Sequence, residues 1–421
     1  MVNTGLKKDA AYVYAGYFLR YLSLIILIPY YSRVLGPVSY GQVLAAMSLM
    51  SIVWLIVNFG LSPIGARELA VSTEKDQINK VFTRQTIGRT MLLPAGILIG
   101  VGGTYLSPIL SGAPLLGFIA IIIGLLKAYN LGWFFQGLRQ FRRSMTVEAL
   151  AYPLNVLFVL LFVRTPDDGL YALLSLAAST AICITLAYGL AFRCARFCKQ
   201  TIINIYSEIK EASTFFLQAV NTTIMVAGST YLLSLLSTPE QVGYFGAAER
   251  IISVAIAFLG PAAQILMPSI AHCAVHAPEK VAFLIKKSLA FEMGYGVCGM
   301  IGCVLFAPIV LPLFLGQDFI PSVLIFQILA CLLPFAAFTH AFGNYILIPL
   351  KKEKWLLLAV VIGNAINLGV AIYAGSIWGA MGMACARVIG EVIIASVLFI
   401  IALRLNLFAS LFNKNKSIDI T

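Results

Sequence analysis

The sequence predicts an all-α integral membrane protein: twelve transmembrane helices in two six-helix lobes around a central cavity, with the N- and C-termini cytoplasmic. Three observations predict it. Of the 421 residues 60% are hydrophobic and 11% charged, with a mean hydropathy of +0.94, more apolar side chain than a water-soluble chain of this size can bury. The apolar stretches are about 20 residues long, enough to cross the hydrocarbon as helices, and do not show the short alternation of an outer-membrane barrel. Lys and Arg gather in alternate loops, which fixes an orientation.

In chain order the spans fall at 10–31, 40–61, 87–106, 115–135, 147–163 and 169–192, then at 214–236, 244–267, 289–315, 321–350, 355–373 and 380–403. Lys7 and Lys8 precede the first span, but its apolar run continues through Leu35 without a small-residue cleavage site. A retained helix is therefore expected, not a secretory signal. With the N-terminus inside, twenty-three of the 29 Lys and Arg residues fall in inner segments and only Arg33 and Arg164 in outer loops. Positive loops stay in the cytoplasm, so the count of spans and the charge agree. Pro29, Pro94, Pro153, Pro261 and Pro334 interrupt spans; each removes a helical hydrogen bond and favours a kink.

The segment 40–46 can be laid on 242–248, about half the chain away. That weak repeat opens the second span and the eighth, and it points to a parallel repeat of lobes, 1–200 and 201–421, with a cavity at their interface. The stretch 193–211 reads as a cytoplasmic amphipathic linker. The net charge of +12 is mainly a topology signal: the basic residues are divided among inner segments, which gives no nucleic-acid site but does favour contact with anionic membrane lipids. The eight cysteines lie mainly within spans and read as reduced and packed.

Four basic residues are intramembrane: Arg20, Lys127, Arg250 and Arg387. An unpaired charge in hydrocarbon costs from about 3 kcal/mol upward, so such residues face a bundle interior or a watery cavity. Arg20 lies about 15 Å from the inner end of its helix at 1.5 Å per residue, too deep to snorkel easily. A guanidinium there is shaped for a phosphate; its structural alternative is a bond to a broken-helix carbonyl. Arg250 offers a second anion contact. Its neighbour Glu249 lies on a different helix face, where it either pairs with another helix or serves ion or proton coupling. Arg387 and Glu391 stand four apart and can form a neutralised packing pair; Arg387 and Lys127 are also cavity-lining candidates, and Glu391 a coupling candidate. His340 reads as a packed, hydrogen-bonded histidine in preference to its alternative, a proton relay. Glu148, Glu208, Glu211 and Glu292 read as acids favoured near helix N-termini, and Trp133 as part of an aromatic belt. His272, Cys273 and His276 lack a further ligand for a metal, and neither metal nor cofactor is expected.

The runs PYYSRVLGPVSYGQVLAAMSL (29–49), NFGLSPIGARELA (58–70), GWFFQGLRQF (132–141) and GYFGAAERI (243–251) together resemble the Wzx-type polysaccharide flippases of the multidrug/oligosaccharidyl-lipid/polysaccharide exporter superfamily. The resemblance implies a two-lobed, twelve-helix transporter of the bacterial inner membrane. Such a protein turns undecaprenyl-pyrophosphate-linked oligosaccharides from the cytoplasmic to the periplasmic leaflet, with a polysaccharide polymerase and a chain-length regulator as partners. Related lipid II flippases hold the pyrophosphate with arginines in the first, second and eighth helices. Arg20 and Arg250 match the first and eighth, while the second helix here has no basic residue; the same resemblance makes Trp133, Phe134 and Phe135, otherwise read as a belt, candidates to touch the sugar.

The leading expectation is thus a lipid-linked oligosaccharide flippase working by alternating access, with Arg20 and Arg250 on the anionic head. A cation-coupled drug antiporter of the same superfamily would need carboxylates in its cavity, and the deep acids Glu249 and Glu391 each stand beside or one turn from an arginine. A membrane glycan polymerase or ligase would need long outer loops with catalytic groups, which the chain lacks.

Overall fold

The computed structural model describes residues 2–72, 74–260, 266, 270, 273, 278–350 and 352–405. Every regular segment among them is helical, and eight helices are long and apolar enough to cross a membrane. The protein is therefore a multi-pass helical membrane protein. The chain divides into two compact units, Met1–Gly243 and Tyr244–Thr421.

The first unit opens with α1 (Val2–Asn58), α2 (Leu61–Val71), α3 (Lys75–Leu106), the short α4 (Pro108–Ser111) and α5 (Pro114–Ala128). It continues with α6 (Gly132–Gly137), α7 (Phe141–Phe162), α8 (Gly169–Ala191), α9 (Ile202–Thr223) and α10 (Ser229–Leu236). A π-helical turn, Ile224–Gly228, joins the last two. In α11 (Pro239–Ala257) the division between units falls at Gly243. The second unit adds α12 (Pro278–Leu315), α13 (Ser322–Ala330), α14 (Leu332–Phe342), a π-helical turn at Gly343–Leu347, and α15 (Glu353–Arg404).

Two breaks show how sequence dictates path. The outer loop expected near 32–39 is a corner of one residue: Gly36, at φ 69 and ψ 177, interrupts α1 just before Pro37. Proline disfavours a helical conformation in the residue before it, and glycine takes positive φ without a Cβ clash. Gly379, at φ 56 and ψ -126, breaks α15 without a following proline, by glycine's access to positive φ alone. Pro29, Pro94 and Pro153 lie inside α1, α3 and α7. Pro334 stands in the first turn of α14, where its missing N–H costs little. Pro261, His272 and His276 lie outside the described residues.

In the first unit α1 packs against α5, α7, α3 and α8, and small residues set the spacing. At Gly124 of α5 a Cβ would sit 2.7 Å from the Met50 carbonyl oxygen and 2.9 Å from Val53 Cβ. Lipid tails are as apolar as leucine, so close backbone approach of this kind, and not hydrophobic collapse, holds membrane helices together. Gly124→Leu is expected to force α5 from α1 and lower stability by roughly 1–3 kcal/mol. A fall in the thermal midpoint of the detergent-solubilised protein checks this; an unchanged midpoint contradicts the packing.

In the second unit α12 packs on α14 and α13, and both of these pack on α15. The outward residues of α12 are apolar, with Leu305 65%, Phe306 60% and Ile309 69% exposed, a surface suited to lipid.

Candidate functional site

The first unit holds an open cavity of about 570 Å³ lined from α1, α2, α5, α6, α7 and α8. Arg20 of α1 and Lys127, in the last turn of α5, both line it, as does Glu148 of α7. Glu148 lies within electrostatic reach of Arg20. Among the described lining residues there are two cations and one carboxylate, so the chamber carries an excess of positive charge. The rest of the wall is amide and aromatic: Asn58, Asn130, Gln136 and Asn155, with Trp54, Trp133 and Tyr152. A side groove of about 270 Å³ between α1 and α7 shares Arg20, Gln136, Glu148 and Tyr152 with the cavity.

Local chemistry places these groups. α5 stops at Ala128, and the Asn130 side chain accepts from the Gly132 N–H at 2.7 Å. That bond satisfies one of the free N–H groups at the start of α6 and turns Asn130 and Trp133 onto the cavity wall. The Ser144 hydroxyl donates to the Gly132 carbonyl at 3.1 Å, which ties α6 to α7. Glu148 lies directly against Gly132, where any larger residue would displace its carboxyl.

Behind the wall stands Arg89 of α3, 2% exposed. It donates to the Gln85 carbonyl and side-chain oxygens at 2.9 Å each, to Ser62 at 2.9 Å and to Asn58 at 3.3 Å. Its guanidinium also lies 5.3 Å from the Trp133 ring centroid, a cation–π contact. Arg89 thus holds three residues of the cavity wall: Asn58, Ser62 and Trp133. Gln85 in turn donates to Glu208 of α9 at 2.5 Å, and Arg84 binds Glu208 at 2.6 Å as well as Glu68. Arg67 pairs with Glu211. Burial pushes the Glu208 carboxyl up, and the charge of Arg84 opposes that shift.

The sequence candidates divide between the units. Arg20 and Lys127 share the cavity of the first. Arg250, Glu249, Arg387 and Glu391 belong to the second. There Arg387 Nε lies 3.6 Å from Glu249 Oε1, with both residues buried, and Arg387 is also within electrostatic reach of Glu391. Arg387 therefore faces an acid on another helix as well as the one on its own. Arg250 is half-buried on α11.

Several groups take places the sequence did not suggest. Glu148, Glu208 and Glu292 stand well inside helices that begin earlier than their apolar runs, so they do not sit in a first helical turn. Glu148 lines the cavity, Glu208 joins the Arg84 network, and Glu292 meets His340 and Tyr345. Trp133 is buried at 6% exposure and forms part of the cavity wall, not an interfacial belt.

A Shigella dysenteriae protein named as an O-antigen transporter is 25% identical over 400 residues, covering 92% of this chain and 98% of its own length. An Escherichia coli K12 protein of the same name is 20% identical over 399 residues, covering 93% and 95%. Among solved structures, the lipid II flippase MurJ in an inward closed conformation superposes with a TM-score of 0.73 at 14% identity, covering 96% of this chain and 92% of that one. An inward-facing multidrug resistance MATE family transporter of the MOP superfamily gives 0.64 at 17% identity, covering 92% and 95%. These two share the fold. The family model for polysaccharide biosynthesis proteins matches residues 6–273, more than half of the sequence and all four motifs, and the chain belongs to that family.

Proposed function

We propose that the chain is a transporter, not an enzyme, that flips undecaprenyl-pyrophosphate-linked oligosaccharide repeat units across the inner membrane by alternating access, for surface polysaccharide synthesis. The observation that carries this reading is the first-unit cavity. It combines a cationic pair, Arg20 and Lys127, with amide and aromatic walls. The cations suit a pyrophosphate, and they lower the large cost of bringing its charge into a low-dielectric layer. Amides and aromatic faces suit sugar hydroxyls and ring faces. The names of the relatives and the family match support the same substrate class.

In this reading Arg250 is the second arginine on the anionic head, and Arg387 a further basic residue of the path. Counting α1 and α15 as two spans each at Gly36 and Gly379, with α9–α10 and α11 as the seventh and eighth, yields twelve spans. In this reading the first six belong to a lobe 1–200 and the last six to a lobe 201–421, although α9 and α10 fall within the first compact unit, and both termini are cytoplasmic. A polysaccharide polymerase and a chain-length regulator would act on the delivered unit.

Cells lacking the chain are expected to lose surface glycan while full-length lipid-linked units accumulate in the cytoplasmic leaflet, and re-expression is expected to reverse both. Mass spectrometry of the lipid-linked pool and leaflet-specific lectin labelling measure this. Unchanged pools and unchanged surface glycan would overturn the flippase reading and favour the antiporter.

A further inference from the structure

Glu292 lies within α12 with no exposed surface. Its Oε2 is 2.9 Å from Nδ1 of His340 on α14, and its Oε1 accepts from the Tyr345 hydroxyl at 2.5 Å. Tyr345 belongs to the π-helical turn Gly343–Leu347 that follows α14. Such turns insert one residue into the helical ladder and recur at functional sites. The His340 side chain keeps 23% exposure while Glu292 has none, so the imidazole is the accessible member of the pair.

Further titratable and charged groups stand on the elements around this cluster. On α12 the Tyr295 hydroxyl is turned to the Ala255 carbonyl of α11 at 2.7 Å, and Lys286 and Lys287 lie nearer the helix start. α11 also carries Glu249 and Arg250. From α15, Glu391 faces Thr339, the residue before His340, and Arg387 lies between Glu391 and Glu249. Glu353 and Lys354 open α15, which meets the π turn through Leu356 at Gly343. α13 has no titratable residue. A chain of polar neighbours thus runs from Glu249 of α11 through Arg387 and Glu391 of α15 to Thr339 of α14, next in sequence to His340.

Resting on the transporter reading above, we propose that Glu292, His340 and Tyr345 form a proton-binding site through which the second unit couples transport to the proton gradient. With the imidazole neutral, the pair carries one negative charge; one bound proton makes it neutral, whether drawn as carboxylic acid with imidazole or as carboxylate with imidazolium. Only an O–H or N–H bond forms and breaks, and the proton is taken from one aqueous phase and returned to the other. A net charge in a dry interior is costly and a neutral pair far less so, so loading changes the energy of packing α12 against α14. The π turn supplies the adjustable element, since Tyr345 can follow or leave the carboxylate by a change of register.

The test is infrared difference spectroscopy of the full chain in vesicles of phosphatidylethanolamine and phosphatidylglycerol, taken between about pH 8 and about pH 5. The expected result is a protonation signal, a carboxylic C=O band or imidazolium ring modes, that disappears in Glu292→Gln. Wild-type and Glu292→Gln spectra that coincide would overturn the proposal. If Glu292→Gln does not fold, the isosteric Tyr345→Phe takes its place: loss of the donated hydrogen bond must shift the carboxyl band, and an unshifted band overturns the site. In cells, Glu292→Gln present at normal membrane level is expected to lose glycan export, and wild-type export by that variant would overturn the coupling. The infrared signal needs no glycan lipid, so it stands apart from the fate of the cavity reading.

Discussion

Arg20→Ala, at equal membrane abundance, is expected to cut surface glycan export by about 10- to 150-fold, with lipid-linked units retained on the cytoplasmic leaflet. A hydrogen bond to a charged group contributes roughly 1.5–3 kcal/mol, and every 1.4 kcal/mol is about tenfold. Arg20 presents a planar fork to the cavity, so Arg20→Lys should restore part of the loss by supplying charge without the bidentate geometry. Glu148→Gln provides the opposite sign. Its carboxylate neighbours Arg20 and competes with an incoming anion for the same guanidinium, so its neutral amide should bind substrate at least as tightly as the wild type. The lipid-linked pool and the surface glycan are measured in all three variants. Normal export by Arg20→Ala would remove the first-unit cavity from the substrate path and move the site to the basic residues of the second unit.

Much of the fold was legible because its signals are local. The apolar runs mark membrane helices wherever they occur, and Gly36 before Pro37 writes a corner in two residues. Arg20 and Lys127 stood out for a related reason: a single charge within an apolar run is expensive, and both do line one cavity. Arg89 was hidden by the opposite circumstance. It shares α3 with Lys75, Lys80 and Arg84, so it looks like one more basic residue of an inner loop, when in fact the helix continues and buries it. Glu292 was missed in the same way, because Lys280, Lys286 and Lys287 disguise the start of α12 at Pro278. Helices that extend past their apolar stretch carry polar residues inward, and hydropathy ends before they do. Trp133 depended on the break at Asn130, a side-chain to backbone bond that no periodicity reveals. Partners distant in sequence, such as Glu249 with Arg387, follow only from tertiary packing.

Arg89→Met is expected to lower stability by about 1–3 kcal/mol, the cost of orphaning buried polar groups, and to impair export beyond what the lost abundance explains. The magnitude follows from where each of its partners stands. Asn58 and Ser62 line the cavity, where water can replace the guanidinium, so their loss costs little. Gln85 is fully buried; its side-chain oxygen would lose its donor while its amide still holds Glu208, and no water reaches it. Against this, Arg89 Nε has no hydrogen-bond partner, and a buried guanidinium is itself costly to desolvate, so an apolar residue of similar length recovers part of the penalty. Methionine is therefore expected to fold with a lowered thermal midpoint, whereas Arg89→Ala should fall further by leaving a cavity beneath Trp133. Arg89→Lys separates stability from position: it keeps the charge but cannot span Gln85 on one side and Asn58 with Ser62 on the other. Thermal midpoints, followed by tryptophan fluorescence in detergent, and export at matched abundance measure the two effects independently. If Arg89→Lys retains full export at matched abundance, the wall formed by Asn58, Ser62 and Trp133 does not need this support, and Arg89 acts on stability alone.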